Sequence, residues 1–455
     1  MLGHHNRHTQ IIYILAVVFA LILLISCVVL SLRTDGATTH KYPNYANVAY
    51  SHCSVKPLNR PFRQAFNKLG IQFIHPAEII NLAHKPRTQV QKIIYIPCSY
   101  NNSDWDIREF LKDFGTQPFQ PVIITAALLG CNKLCAKNGL WSVLERVYRR
   151  EMAKTITPES WVIPAQSAQF KTLLNARDNN PLPAFILKKN IQGKQGLLLS
   201  NSRDTLLGLL ITPCDYAVAQ RYLQNPYLIN GRKLNIRLYI LITISRDSIR
   251  PEWWLYTYGK CIYTNHGYSQ LPKNTTIKSG AEHDMELLEQ HFTSLNLDSD
   301  RVYSQEHCPE SLSDLQKYMT SRSEDWSLVW QKIQLGLAKV AAAYQDKLSK
   351  PKQAHKAYQI FGADYIISSD PKNGKPQEPY LLEFNKGPEM KYKSPNDPEL
   401  KSGLQTDILE LVLGQPNTTT TTNTNTKQEK WILVNSVNKS KTARNKPVKN
   451  IKRNA

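Results

Sequence analysis

The sequence predicts an α/β fold, mixed rather than purely wound (α+β). Three observations carry this. Apolar strand-like runs alternate with helix-period segments from about residue 61 to residue 414. Two apolar strands joined by a Pro/Gly/Asn-rich turn, Ser368 to Pro379, close that region as a β-hairpin. Residues 280–350, ahead of the hairpin, are rich in helical spacing.

In chain order, residues 33–60 are polar and contain proline, and read as a stalk. Residues 61–151 read as a small N-terminal α/β domain, with strands at Lys92–Pro97 and Pro121–Thr125 and a helix from Lys133 to Glu151. Residues 152–414 read as a second, larger domain. It offers strands at Ser160–Ile163, Ala184–Lys188 and Leu197–Leu199, and a strand-to-helix passage at Tyr216–Leu223. A long strand, Leu234–Ile244, follows an Asn230-Gly231 turn. Val329–Leu348 has apolar residues at helical intervals, and a helix near Asp407–Leu413 follows the hairpin.

The chain has 455 residues, enough for two or three domains, and is 42% hydrophobic and 20% charged, an ordinary globular balance. Its formal charge of +21 is not ordinary and implies attraction to acidic partners. An acidic protein surface is the expected one; nucleic acid is not. Eight cysteines are sparse in this length. Cys131 and Cys135 lack a matching second pair, so zinc is not expected, and reduced thiols suit a cytosolic body.

Residues 1–10 form a short tail before the uncharged apolar run 11–32, long enough as a helix to span a bilayer core of roughly 30 Å. No small-residue cleavage site follows Leu32, so the run reads as a retained transmembrane anchor. Arg7 alone precedes it, while Arg33, Lys41 and Lys56 follow, an asymmetry that favours a cytosolic body on a single-pass membrane protein. Residues 415–455 read as a low-complexity basic tail: a Thr/Asn run at 418–426, then seven Lys/Arg and no acid from Lys439 to Arg453. Such a tail serves solubility or tethers the chain to acidic polymer or lipid head groups.

The hairpin carries chemistry. Asp364 lies on its first strand, and Glu383 and Asn385 lie two apart on the second, so the latter share a face. Three hard oxygen donors facing one point suit Mg²⁺, which takes few carboxylates and completes its shell with water and phosphate. The same residues could equally be solvent-facing carboxylates at a hairpin end.

Upstream, the apolar strand Ala184–Lys188 ends in lysine. A loop with Gly193 and Gly196 follows, then a second strand. Glycines let backbone N–H groups approach phosphates, and a lysine neutralises them. No Gly-Lys-Ser/Thr is present, so this is not a Walker A loop. Gln220 and Arg221 end an apolar stretch placed to meet an adenine edge. Lys233, Asn235 and Arg237 alternate on one face of the long strand, with Leu234, Ile236 and Leu238 on the other. An amphipathic edge strand shows the same pattern; its cations beside a carboxylate cluster favour a phosphate site.

The order of these motifs resembles the tubulin–tyrosine ligase-like family, within the ATP-grasp superfamily. The resemblance runs from about Asn102 to Pro388. It rests on Asn101-Asn-Ser-Asp-Trp-Asp106, the lysine-bearing stretch Asn132–Trp141, Pro158-Glu-Ser-Trp-Val-Ile-Pro164, Phe185–Lys188 with Gly193 and Gly196, Gln220-Arg-Tyr-Leu223, Gly231–Tyr239, Phe361–Asp364 and Leu382–Asn385. It implies an ATP-grasp fold and an ATP- and Mg²⁺-dependent carboxylate–amine ligase that adds a free amino acid to a protein, often tubulin, through an acyl phosphate. Lys188 would then hold the α/β-phosphates and Gln220 the adenine. Lys233 and Arg237, the catalytic candidates, would hold the terminal phosphate and the acyl-phosphate charge, and Asp364, Glu383 and Asn385 the Mg²⁺. Each role is electrostatic positioning, which phosphoryl transfer requires.

The sequence departs from the family at four places. Asn235 stands where the family has Asp, and Lys189 where it has Pro. Ile262 ends Gly259-Lys-Cys-Ile262 where the family's Gly-x-x-Arg has its arginine. Leu271-Pro-Lys-Asn-Thr275 copies the His-Leu-Thr-Asn element poorly. Two further readings therefore stand beside the ligase: a degenerate ATP-grasp module that binds nucleotide or an acidic partner without chemistry, and an anchored glycosyltransferase-like enzyme, against which the lack of an Asp-x-Asp motif near mid-chain counts.

Overall fold

The computed structural model describes residues 47–51, 59–74, 91–98, 103–114, 122–176, 182–191, 196–211, 215–279, 285–293, 297–351, 354–414 and 429–434. The expected anchor at 11–32 and the basic run 439–453 lie outside these residues. Among the described residues no helix is long and apolar enough to cross a membrane.

The first strands are short and parallel. β1 (Asn47–Tyr50) leads to helix α1 (Arg60–Leu69) and β2 (Gln72–Ile74); β3 (Lys92–Tyr95) leads to α2 (Ser103–Phe114) and β4 (Val122–Thr125). Asn59 caps α1 by accepting the N–H of Phe62, with Pro61 in the first turn. β1 sits between β2 and β3, and Val48, Ala49 and Tyr50 are buried. The stalk expected at 33–60 therefore contains an interior strand. Four residues are too few to show a period, and the pairing on both sides holds them extended.

Helices α3 (Asn132–Cys135) and α4 (Gly139–Ala153) replace the single helix expected at 133–151. A Cβ on residue 139 would lie 1.9 Å from the Lys133 carbonyl oxygen, so glycine permits the break. These helices pack mainly on elements later in the chain. Leu134, Leu140, Trp141 and Leu144 join the core formed by the second half of the chain.

Next come β5 (Ser160–Val162), α5 (Ser167–Asn175), β6 (Phe185–Lys189), β7 (Leu197–Ser200), α6 (Arg203–Gly208) and β8 (Tyr216–Arg221). The chain leaves β8 into β9 (Leu228–Ile229), not into the helix expected after Tyr216. Two long antiparallel strands follow, β10 (Arg232–Ser245) and β11 (Glu252–Tyr263), then β12 (Thr276–Lys278) and α7 (Met285–His291). α8 (Leu312–Ser321), capped by a reciprocal Ser311–Asp314 box, and α9 (Trp326–Tyr344) complete the helical stretch. The hairpin is β13 (Lys356–Ser369) and β14 (Pro376–Lys386), followed by α10 (Asp397–Leu413) and β15 (Trp431–Leu433).

The described strands form two sheets. The small one has the order β12-β7-β6-β8-β5. The large one runs β15-β11-β10-β13-β4-β3-β1-β2, with β14 also on β13 and β9 on β10. Both β4 and β14 use one edge of β13: β4 meets Lys356–Ala357, and β14 pairs from Phe361 onward. The N-terminal strands are thereby fused to the central sheet.

β10 shows why the site lies where it does. Leu234, Ile236, Leu238, Ile240 and Ile242 face α4, α8 and α9. On the opposite face, Tyr239 and Leu241 are covered by α1 and α10. That cover stops short of Lys233, Asn235 and Arg237, whose side of the sheet stays open.

The expected tail at 415–455 is not uniform. Trp431–Leu433 adds β15 to the edge of β11, Trp431 lies against Tyr256 at 4.7 Å between ring centroids, and Lys430 pairs with Asp407 at 2.7 Å. Three residues between a Thr/Asn run and a lysine-rich run carry no strand signal; a waiting edge and an aromatic partner fix them. Cys98 is disulfide-bonded, against the expectation of reduced thiols, while Cys131, Cys135, Cys261 and Cys308 are not disulfide-bonded.

Candidate active site

A cavity of about 250 Å³ lies between the open face of the large sheet and the small sheet. β10 contributes Lys233, Asn235 and Arg237, β11 Ile262, β13 Asp364, and β14 Leu382, Glu383 and Asn385. Facing them are Ile186 and Lys188 of β6, with Ile191 and Leu197. Adjacent Leu382 and Glu383 both reach the cavity because the β13–β14 register shifts between Asp364 and Tyr365, a bulge at residue 382.

Register builds the charged centre. Arg237, Asp364 and Glu383 are consecutive cross-strand partners on β10, β13 and β14. The Arg237 guanidinium donates to both Asp364 oxygens, through Nε and, at 3.0 Å, Nη2. Gly362 lets it lie flat, because a Cβ there would approach Arg237 Cδ to 3.0 Å. Lys137, from the break between α3 and α4, donates to Glu383 Oε2. The Asn385 amide nitrogen donates to Asp364 Oδ2 at 3.1 Å and Glu383 Oε1 at 3.2 Å. Asn385 thus bridges the two carboxylates and brings the three sequence-predicted metal ligands together.

Lys188 is 7% exposed. Burial pulls its pKa down to about 8, and Glu383 opposes that shift. Burial alone would raise the Glu383 carboxyl, but Lys137 and Lys188 outweigh it and hold it below the usual range. Lys137, Lys188, Lys233 and Arg237 face only Asp364 and Glu383 as carboxylates on the cavity wall, an excess of positive charge that suits an anionic ligand.

Other expected residues are placed differently. Lys233 is buried and donates to the Tyr222 hydroxyl at 3.0 Å and the His291 carbonyl at 2.9 Å. The Asn235 side-chain oxygen is buried with no partner among the described residues. Gln220 does not line the cavity; its amide donates to Ser160 Oγ on β5 at 3.1 Å. Arg221 points to a second cavity and pairs with Glu159 at 3.1 Å. Gly193 lies outside the described residues. Gly196 turns the chain into β7 at φ +69°, where a Cβ would lie 2.9 Å from the Lys189 side chain, so the turn itself requires glycine.

Sequence reasoning missed His291, Phe292 and Thr293, all on the cavity wall. Leu271–Thr275, the expected His-Leu-Thr-Asn counterpart, instead braces the small sheet: Thr275 N–H donates to Asn201 Oδ1 at 2.7 Å. The wall residues His-Phe-Thr begin at the last residue of α7. His291 is fully buried, its Nδ1 3.0 Å from the Tyr222 hydroxyl and its Nε2 without a partner among the described residues. Burial, with Lys233 beside it, lowers its pKa to about 4. A histidine with a pKa near 6.5 when unfolded and about 4 when folded binds fewer protons folded, so stability falls as pH drops through that window. Between pH 7 and pH 5 we expect a loss of about 2 kcal/mol from this group. Urea unfolding at the two pH values should show it, and His291→Gln should abolish that portion of the dependence.

A model of the tubulin-tyrosine ligase family matches residues 121–423. Among curated proteins the chain is similar to a probable beta-tubulin polyglutamylase of Tetrahymena thermophila, 24% identical over 71% of this chain and 27% of that protein. It is 25% identical to the tubulin polyglutamylase ttll6 of Danio rerio, over 62% of this chain and 35% of the relative. It is 28% identical to the probable tubulin polyglutamylase TTLL9 of Rattus norvegicus, over 44% of this chain and 39% of the relative. The chain thus spans well under half the length of these relatives. With a matched segment that takes in β10, the hairpin and the cavity they form, this chain belongs to the tubulin-tyrosine ligase family.

Proposed function

We propose that the chain is an ATP-grasp enzyme, an ATP- and Mg²⁺-dependent ligase that joins a free amino acid to a carboxylate of an acidic protein acceptor, a tubulin tail among the candidates. The observation that carries this is the row Arg237–Asp364–Glu383–Lys137, closed by Asn385 and faced by Lys188. Two carboxylates and an amide in contact fit Mg²⁺, which would neutralise phosphate charge when bound. Asp364, Glu383 and Asn385 would hold it. Lys188 would meet the phosphates, whose charge would offset the lowering of its pKa by burial. Arg237 and Lys233 would stabilise charge on the transferred phosphoryl group. In this scheme an acceptor carboxylate oxygen bonds to the γ-phosphorus as the bond to ADP breaks. The amine nitrogen then bonds to the acyl carbon and inorganic phosphate leaves. Gln220 would reach nucleotide only by giving up Ser160, and Arg221 would first have to leave Glu159.

The apolar run 11–32 remains the proposed membrane anchor. The Cys98 disulfide would suit an oxidising compartment, in which case the acceptor is an acidic protein other than tubulin; the Lys/Arg asymmetry favours the cytosolic side, where tubulin is the candidate.

A second reading keeps nucleotide binding and drops the chemistry. What favours it is that the two departures nearest the centre, Asn235 and Ile262, are direct cross-strand partners. Incubation of the full chain with Mg²⁺-ATP, an amino-acid mixture and tubulin separates the readings. The ligase gives ADP and a mass increase of one or more residues on tubulin; nucleotide binding with neither product supports the second.

A further inference from the structure

Most strands of the large sheet begin or end at one pole. Ser245 closes β10 beside Lys356, the first residue of β13, and Thr243 pairs with Glu252, the first residue of β11. Lys356 is level with Ile124 of β4, and Val122, Lys92 and Asn47, which open β4, β3 and β1, stand in register with one another. β15 runs toward the same end, with Leu433 opposite Trp254. The chain therefore enters the described body at this pole, at Asn47, after the apolar run 11–32. It leaves here too, at Val434, ahead of the basic run Lys439–Arg453. The cavity is remote: at about 3.3 Å per residue, Arg237 lies roughly 26 Å along β10 from Ser245.

The turn from β10 to β11 forms the tip of this pole, and it exposes Arg246, Ile249 and Arg250. Ile249, at 86%, is the most exposed large apolar side chain among the described residues. Arg246 has Asp247 at 3.5 Å, a loose contact with a carboxylate that is itself 88% exposed. The other acid of the turn, Glu252, accepts from Thr243 at 3.0 Å. Behind the turn Lys92 and Lys356 donate to the last carbonyls of α10, Leu413 and Val412. An apolar tip between two arginines suits the boundary of a bilayer: hydrocarbon enters the acyl margin while guanidinium groups stay at the level of the phosphates. One such tip binds weakly alone. Tethered by a membrane span it works at high effective concentration, and a basic segment leaving the same pole adds attraction to anionic head groups.

Resting on the anchor reading above, we propose that this pole is a lipid-contact surface, with the Arg246–Arg250 turn seated on the anionic face of the membrane that holds residues 11–32 and the cavity held away from it. The test places the photo-crosslinker benzoylphenylalanine at position 249 of the full chain and, as a control, at Ile211, which is 76% exposed and follows α6. Each protein is reconstituted into vesicles of phosphatidylcholine, with or without about a third phosphatidylserine, and illuminated. We expect lipid adducts at 249, at least ~5-fold more in the anionic vesicles, and none at 211. Arg246→Gln with Arg250→Gln should cut the yield at 249 by ~5-fold or more. No adduct at 249, equal adducts at both positions, or a yield indifferent to phosphatidylserine and to the arginines overturns the proposal. Adducts at 249 with an added polyglutamate peptide in place of lipid assign the surface to an acidic protein instead, which also overturns it. Loss of the chain from the vesicles in an alkaline wash removes the anchor reading; lipid adducts at 249 in that case still support the pole, and their absence sinks it.

Discussion

Glu383→Gln should lower Mg²⁺-dependent ATP affinity by ~100-fold or more, about 2.7 kcal/mol. The change is isosteric, so the fold has no cavity to fill and Asn385 can still donate to the residue at 383. What disappears is one of two carboxylates in contact with Asn385, together with the partner of Lys137. A cation site reduced to Asp364 alone, already paired with Arg237, holds Mg²⁺ poorly. In the absence of Mg²⁺ the same substitution removes a negative charge from the phosphate site, so affinity should stay level or rise slightly. Fluorescent-nucleotide titrations with and without the metal measure both arms, and near-ultraviolet circular dichroism checks the packing. Equal Mg²⁺-dependent affinity in the two proteins would remove the metal assignment.

Asp397→Ala should destabilise the body by about 3–5 kcal/mol. Asp397 is fully buried and accepts from Lys260 and Lys401, each at 2.9 Å, and from the Lys393 backbone N–H at 2.6 Å. The Lys401 side chain is only 5% exposed and that of Lys260 13%. Removing the carboxylate strands two cations away from water. The contact also fastens the start of α10 to β11, and an acid in the first turn of a helix suits its dipole. Asp397→Asn keeps the shape and part of the hydrogen bonding, so it should cost less than the alanine change. Urea midpoints at constant slope give the comparison; an alanine variant within about 1 kcal/mol of the parent would mean that the lysines find water or other acceptors.

The juxtaposition of Asp364, Glu383 and Asn385 could be read from sequence because local geometry decides it. A period of two places Glu383 and Asn385 on one face, and a hairpin turn brings Asp364 alongside. The amphipathic start of β10 could be read for the same reason. Gln220 and Arg221 could not. Their directions are set by Ser160 and Glu159 at the start of the neighbouring strand β5, some 60 residues earlier. His291 was hidden by the separation between β11 and α7, which carries β12 and its bracing turn. β1 and β15 were invisible because three or four residues become a strand only when a neighbouring edge pairs with them.

β15 has a practical corollary. It occupies the free side of β11 at Trp254–Tyr256 and covers Tyr256 with Trp431. A chain trimmed after Gly414, the natural cut for anyone treating the rest as dispensable, would present unpaired N–H and C=O groups beside uncovered aromatic surface. Open edges of that kind template pairing with other molecules. Such a truncation is expected to precipitate or self-associate, and one ending after Val434 to stay monodisperse.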